Sequence, residues 1–384
     1  MHDDLLARRA DYPILARKSA YLINNSLGAM HRGTAERLAE YARLWDVDGV
    51  TAWSTWFPEL GRIADLLGSI IGAPPRTTIL RQSVADAINA VVSCLDFSPS
   101  RNRVVTTAAD WPGTHYMWTE HCRRHGGELV VVPYEPDGTS IDPMRVAEAV
   151  DDRTLVVSAS LVQFRTSALL DLAPVRDAAR RHGALLILDA YQAAGALPVD
   201  VAANDIDVCV GGSVKFLCGG PGNGWLSIRP ELIDALKPSA VGWISHARPF
   251  DFEWAEIAYA PGIQRFAGGT PNVPAAYAAA PGYQAIADIG IAKVRERSQW
   301  LTQSLVEGAL ERGLVVRSPL DADRRGGHVT VDVADAERVH HELIERGFVV
   351  DYRPGGGIRI GPHFFNTMDE CVAVLDEMVA IRDK

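Results

Sequence analysis

Two residues in this chain of 384 carry enough chemistry to organise the rest. Lys215 stands in "DVCVGGSVKFLCGGPGNGW", after an apolar run and before a glycine-rich turn, and Asp189 ends the run "ALLILDA" 26 residues earlier. A lone lysine more often snorkels to water, and an isolated aspartate at a strand end more often caps the next turn. A desolvated lysine, however, has a depressed pKa and becomes a nucleophile that forms Schiff bases with carbonyls. A buried carboxylate in turn demands a cation or a hydrogen-bond donor. Taken as a pair, the amine suits the aldehyde and the carboxylate suits the protonated ring nitrogen of one heterocycle.

Further residues at apolar-run ends extend that reading. Ser83 and Val84 open a helical pattern, where free N–H groups and the helix dipole attract an anion such as phosphate, although Ser83 alone is an ordinary cap. Trp111, before Pro112, could fill core or lie flat on an aromatic ring. Arg165 in "LVQFRT" is either a surface cation or a group that orients a phosphate, a ring hydroxyl or a substrate. Gln192 in "LDAYQAAG" can contact a ring oxygen. Arg359 in "GGGIRIG" alternates with apolar neighbours, and a buried arginine calls for an anion such as an amino acid's carboxylate. The cofactor that uses an amine, a carboxylate, a phosphate seat and a stacking ring together is pyridoxal 5'-phosphate.

The elements that must position these residues are legible as runs. "TTIL", "VVTT", "ELVVVP", "TLVVSAS", "ALLILDA", "DVCVGGS" and "GWLSIR" are mostly apolar on both faces and separated by helix-length segments. This predicts an α/β fold with a mostly parallel seven-stranded sheet covered by helices on both faces. "SVADAINAVVSCL" begins with a capping serine and an acid three residues on, and "DLAPVRDAARRHG" ends in a basic turn and Gly183, as helices do. From about residue 286, a long helix and then "HVTVDV", "AERVHHELIERG", "FVVDYRP", "GIRIG" and a last helix from Met368 predict a small α+β unit. The expected division is 1–46 as a segment packing with that small unit, 47–285 as the large domain and 286–384 as the small C-terminal domain.

Composition narrows the partners. Hydrophobic residues are 47% and charged residues 22%, and the net charge of -10 lacks the cationic block that a nucleic acid or an anionic membrane would require. The N-terminus shows no basic start with an apolar stretch behind it, and no run nears the roughly 18 apolar residues of a membrane span. Five scattered cysteines suit reduced thiols, so the expectation is a cytoplasmic protein without disulfides. "HCRRHGG" spaces two histidines like zinc ligands but lacks the adjacent glutamate and a third ligand, so it reads as a basic helix end and no metal is expected.

With these residues collected, the chain resembles the fold-type I pyridoxal-phosphate enzymes of the class V aminotransferase superfamily, and within it kynureninase. The resemblance rests on "NNSLGAM", on Trp111-Pro112, on Asp189 in "LDAYQAAGALPVD", on Lys215 before its Gly-Pro-Gly turn, on "RFAGGTP" and on Arg359 in "IRIGPHFFNT". It implies a fold-type I transferase fold, a Schiff-base lysine at Lys215 and a ring-nitrogen partner at Asp189. It places Asn25, Ser26 and Arg359 at the substrate, with Arg359 on its carboxylate. It also implies a homodimer with shared active sites, in which Gly269 and Thr270 touch the neighbouring subunit's phosphate. Val214 stands where kynureninases usually have tyrosine, and Gln192 where they favour histidine. The implied activity is hydrolytic Cβ–Cγ cleavage of a kynurenine-type amino acid. A C–S lyase, epimerase or aminotransferase on the same scaffold, or an inactive binding protein with this fold, remain the alternatives.

Overall fold

The computed structural model describes residues 3–252 and 254–384. All seven apolar runs join one sheet: β1 (Thr78–Arg81), β2 (Arg103–Thr107), β3 (Glu128–Val132), β4 (Thr154–Ser160), β5 (Leu185–Asp189), β6 (Val208–Gly212) and β7 (Gly224–Ile228). Their spatial order is β1-β7-β6-β5-β4-β2-β3. Only β7 runs against its neighbours β1 and β6, so the sheet is mostly parallel.

The two faces of the sheet are covered by different helices, which is why the strands are apolar throughout. Val104, Val156, Ile187, Val208 and Leu226 pack with Ile88 and Val91 of helix α3 (Val84–Val92) and with Trp118 of helix α4 (Pro112–His125). Val105, Val157, Leu186, Leu188 and Trp225 face the other way. They meet Ile63 and Leu67 of α2 (Trp53–Ile70), Val175 and Ala178 of a further helix (Leu172–Arg181), and Ala276 and Ala279 of another (Val273–Ile289).

The small unit is a four-stranded antiparallel sheet with Val315–Val316 at one edge, then Val329–Asp332, Gly357–Ile360 and Asp351–Arg353. Helices Ile291–Glu311, Ala336–Glu345 and Met368–Arg382 close its core around Leu301, Val331, Ile358 and Met378. The run "FVVDYRP" divides between two sheets: Phe348–Val349 pairs in parallel with Ala20–Tyr21, and Asp351–Arg353 pairs with Gly357–Ile360. Ala20 and Leu22 therefore share the small core. Residues 33–46, grouped by sequence with the small unit, instead begin helix α1 (Gly33–Asp48), which lies along Val273–Ile289. There Leu44, Trp56, Val273 and Tyr277 share a cluster, and Thr34 Oγ1 donates to the Ala278 carbonyl at 3.2 Å.

Candidate active site

Parallel strands end together, so the residues that follow β2, β4, β5 and β6 converge on one edge of the sheet. The turn bearing Lys215 is held there from several sides. Cys218 N donates to the Lys215 carbonyl at 2.8 Å, Gly219 N to the Ser213 carbonyl at 2.8 Å, and Gly28 N to the Val214 carbonyl at 2.7 Å. Glycine is required at three packing positions, since a Cβ on Gly28 would strike the Lys215 carbonyl, one on Gly195 the Phe216 peptide and one on Gly282 the Leu217 carbonyl. From the small unit, His363 Nε2 meets the Phe216 carbonyl at 2.7 Å. A carbonyl only accepts, so Nε2 carries the hydrogen. Burial pushes this imidazole down to about 4, which keeps it neutral.

Asp189 ends β5 buried, and its Oδ1 accepts from Tyr191 N at 2.8 Å. Burial raises its pKa above the ordinary carboxylate range, opposed by that hydrogen bond and by Lys215. Lys215 is displaced downward, first by burial and then by the charge of Arg359, with Asp189 opposing. Each ion is thus disfavoured by desolvation and partly rescued by the other.

Trp111 sits at the start of α4 with extended backbone (φ −60°, ψ 134°), the conformation that the following proline imposes. Asp110 fixes its place by tying two strand ends together. Its carboxylate accepts from Thr106 Oγ1 at 2.7 Å, Thr107 N at 2.9 Å and Ser160 N at 2.7 Å. The indole meets Phe164 edge to face, with centroids 5.1 Å apart. Ser83 caps α3 through its hydroxyl, which accepts from Asp86 N at 3.2 Å, and Gly224 lacks the side chain that would strike the Ser83 backbone.

These positions share a cavity of about 390 Å³ whose wall contains Lys215, Asp189, Gln192, Ser83, Val84, Trp111, Asn25, Ser26 and Arg359. The same wall includes Tyr191 and Arg353, which sequence reasoning missed. Arg359 is 2% exposed, donates Nη1 to the Phe164 carbonyl at 2.6 Å and pairs through Nη2 with Asp351. Arg353 pairs with the same Asp351 oxygen at 3.3 Å. The signal for it was the hairpin "DYRPGGGIR", whose register sets Asp351 opposite Arg359.

The family description Aminotransferase class-V matches residues 62–363. The chain belongs to the class V aminotransferases. An uncharacterized aminotransferase of Bacillus subtilis, YcbU, is 31% identical over 81% of this chain and 80% of its own length. A kynureninase of Deinococcus radiodurans is 29% identical over 98% of this chain and 94% of its own. In fold the chain is similar to a cysteine desulfurase of Thermococcus onnurineus, with a TM-score of 0.87, 19% identity and 98% of each chain covered.

Pyridoxal phosphate is the cofactor of class V enzymes, and the residues present fit it. Oε1 of Gln192 is buried and has no partner among the described residues, while its Nε2 donates to the Asn25 carbonyl at 3.1 Å. Both side-chain polar atoms of Asn25 are likewise buried and unpartnered on the cavity wall. The first residues of α3 line the same cavity, and free N–H groups at a helix start seat anions.

Arg165, Gly269 and Thr270 do not line this cavity. Arg165 is exposed, with its guanidinium over the Phe164 ring at 5.6 Å. Beyond β4 the chain doubles back, with Gln163 N donating to the Ala168 carbonyl at 2.9 Å, so Val162 and Phe164 face the cavity and Arg165 faces away. Gly269 and Thr270 line a separate cavity of about 290 Å³ beside Arg81 and Asn272. Among the described residues, no helix is long and apolar enough to cross a membrane.

Proposed function

We propose that this class V enzyme is a kynureninase-like hydrolase acting on an α-amino acid whose side chain is an aromatic ketone. The observation that carries the reading is the convergence of Lys215, Asp189 and Arg359 on one cavity with aromatic walls at Trp111, Phe164 and Tyr191. Kynureninases that align over nearly the whole chain support it. A desulfurase reading would need a thiol at the site, and none of Cys94, Cys122, Cys209, Cys218 or Cys371 lines this cavity.

Bound pyridoxal phosphate supplies an electron sink for carbanions formed next to the substrate amine. Lys215 would anchor it through Nζ, Asp189 would keep its ring nitrogen protonated, Trp111 would cover its ring and Gln192 would contact its O3'. Ser83 and Val84 would seat its phosphate through the start of α3. Nζ of Lys215, once free, moves the proton at the substrate Cα, a task suited to an amine displaced downward from its ordinary pKa. Arg359 holds the substrate carboxylate and thereby fixes which Cα bond is presented for cleavage. Asn25 and Ser26 contact the substrate from the N-terminal segment. Overall, water adds its oxygen to the ketone carbon, the Cβ–Cγ bond breaks, and an aromatic acid and alanine leave. The protein works as a cytoplasmic homodimer in which Gly269 and Thr270 reach the partner's phosphate.

The test is direct. Borohydride treatment of the purified holoenzyme should fix the cofactor on Lys215, and kynurenine should yield anthranilate and alanine in equal amounts. Lys215→Ala should abolish both. Ammonia with a keto acid, or racemised substrate, would instead establish an aminotransferase or epimerase. For the shared site, mixing and reassociating Lys215→Ala with a Thr270 variant should restore about a quarter of wild-type activity, because mixed dimers keep one intact site.

A further inference from the structure

Tyr191 touches both Asp189 and Lys215. Its backbone N–H donates to Asp189 Oδ1 at 2.8 Å, and Lys215 Nζ lies over its ring, 4.4 Å from the centroid. The phenol end rests against Gly212, where a Cβ would collide with Cζ and Oη, so the absence of a side chain on β6 is what admits the ring in this pose. Burial and the charge of Asp189 push the phenol up to about 12, leaving it neutral through the physiological range. We propose that Tyr191 is a positioning residue for Lys215, its ring face seating the amine and favouring the ammonium form against the desolvation of the cavity.

The physical basis is the negative face of an aromatic ring, whose attraction for a cation grows as water is removed. Other groups act on the same amine. Asp189 at the end of β5 favours the cation, while Arg359 and Arg353 from the small-unit hairpin oppose it. His328, just before Val329–Asp332, is buried and held neutral by that burial and by the charges of Arg359 and Lys215, so it adds no charge. Tyr191 is then the neutral group that can favour the ammonium without spending Asp189, whose carboxylate is needed elsewhere. The catalytic meaning of this seat rests on the cofactor reading above, but the seat itself can be measured without it.

The full chain, dialysed against hydroxylamine to strip any bound carbonyl compound, is labelled with limiting acetic anhydride across a range of pH. Peptide mass spectrometry then reads the labelling midpoint of Lys215 against exposed lysines of the same chain. Tyr191→Phe keeps the ring and should leave the midpoint where it is. Tyr191→Leu removes the ring and should lower the midpoint by about one pH unit. Should the leucine variant fold poorly, mono-, di- and trifluorophenylalanine at position 191 keep the shape and weaken the ring face stepwise, and the midpoint should fall along that series. An unchanged midpoint in Tyr191→Leu, a flat fluorinated series, or a shift in Tyr191→Phe as large as in Tyr191→Leu would overturn the proposal. None of these results depends on which reaction the holoenzyme performs, and a failed borohydride adduct would strike the cofactor reading alone.

Discussion

At the scale of single residues, the cavity holds charges that the fold would rather not bury. Asp189 is raised by burial, so the folded state binds its proton more tightly than the unfolded chain does. Its contribution to the cofactor-free protein is therefore favourable at acid pH and is lost as pH rises through the folded-state value. Asp189→Asn keeps the Tyr191 N–H bond and discards the buried charge. At pH 8, where the downshifted Lys215 carries little charge to be left unpaired, the cofactor-free variant should be about 1 kcal/mol more stable than wild type in urea unfolding, while turnover of the holoenzyme falls about a hundredfold or more. Asp189 was legible because it ends β5, an apolar run, and Lys215, three residues beyond β6, because a lysine between an apolar run and a glycine-rich turn is unusual enough to single out. Tyr191 and Arg353 were not, because each reaches the cavity through a turn or a hairpin, where direction depends on backbone angles that the sequence pattern does not express. Arg165 failed for the same reason: the reversal after β4 turned it outward.

At the scale of elements, the turn bearing Lys215 is gripped by segments far from it in sequence. Gly28 comes from the N-terminal segment and His363 from the small unit, and both bond carbonyls flanking the lysine. Gly28→Ala must displace the Lys215 carbonyl, an overpacking cost of about 1–3 kcal/mol. It should appear as a lowered melting temperature together with weaker cofactor retention on dialysis. The strands themselves were readable from β-branched runs, and all seven joined one sheet. The placement of residues 33–46 was not, because a helix beginning at Gly33 carries no mark of which distant helix it will lie against.

At the scale of the whole molecule, two neutral histidines lie where the small and large units meet. His328 and His363 are both buried and both pushed down by burial, the latter to about 4. The unfolded chain takes up their protons near pH 6.5, whereas the folded protein resists until the lower value. Stability should therefore decline as pH falls from about 6.5 toward 4. His328→Leu should flatten that decline in urea melts taken at pH 4.5 and 7; equal slopes in the variant and the wild type would contradict it.

The grip of Gly28 and His363 on a single turn also bears on how the protein is made. A ribosome delivers Gly28 335 residues before His363, so a nascent chain carries its lysine long before the lysine's setting exists. Vitamin capture should then await the arrival of His363, and translation products cut short before it, though their seven-stranded sheet is complete, should emerge colourless.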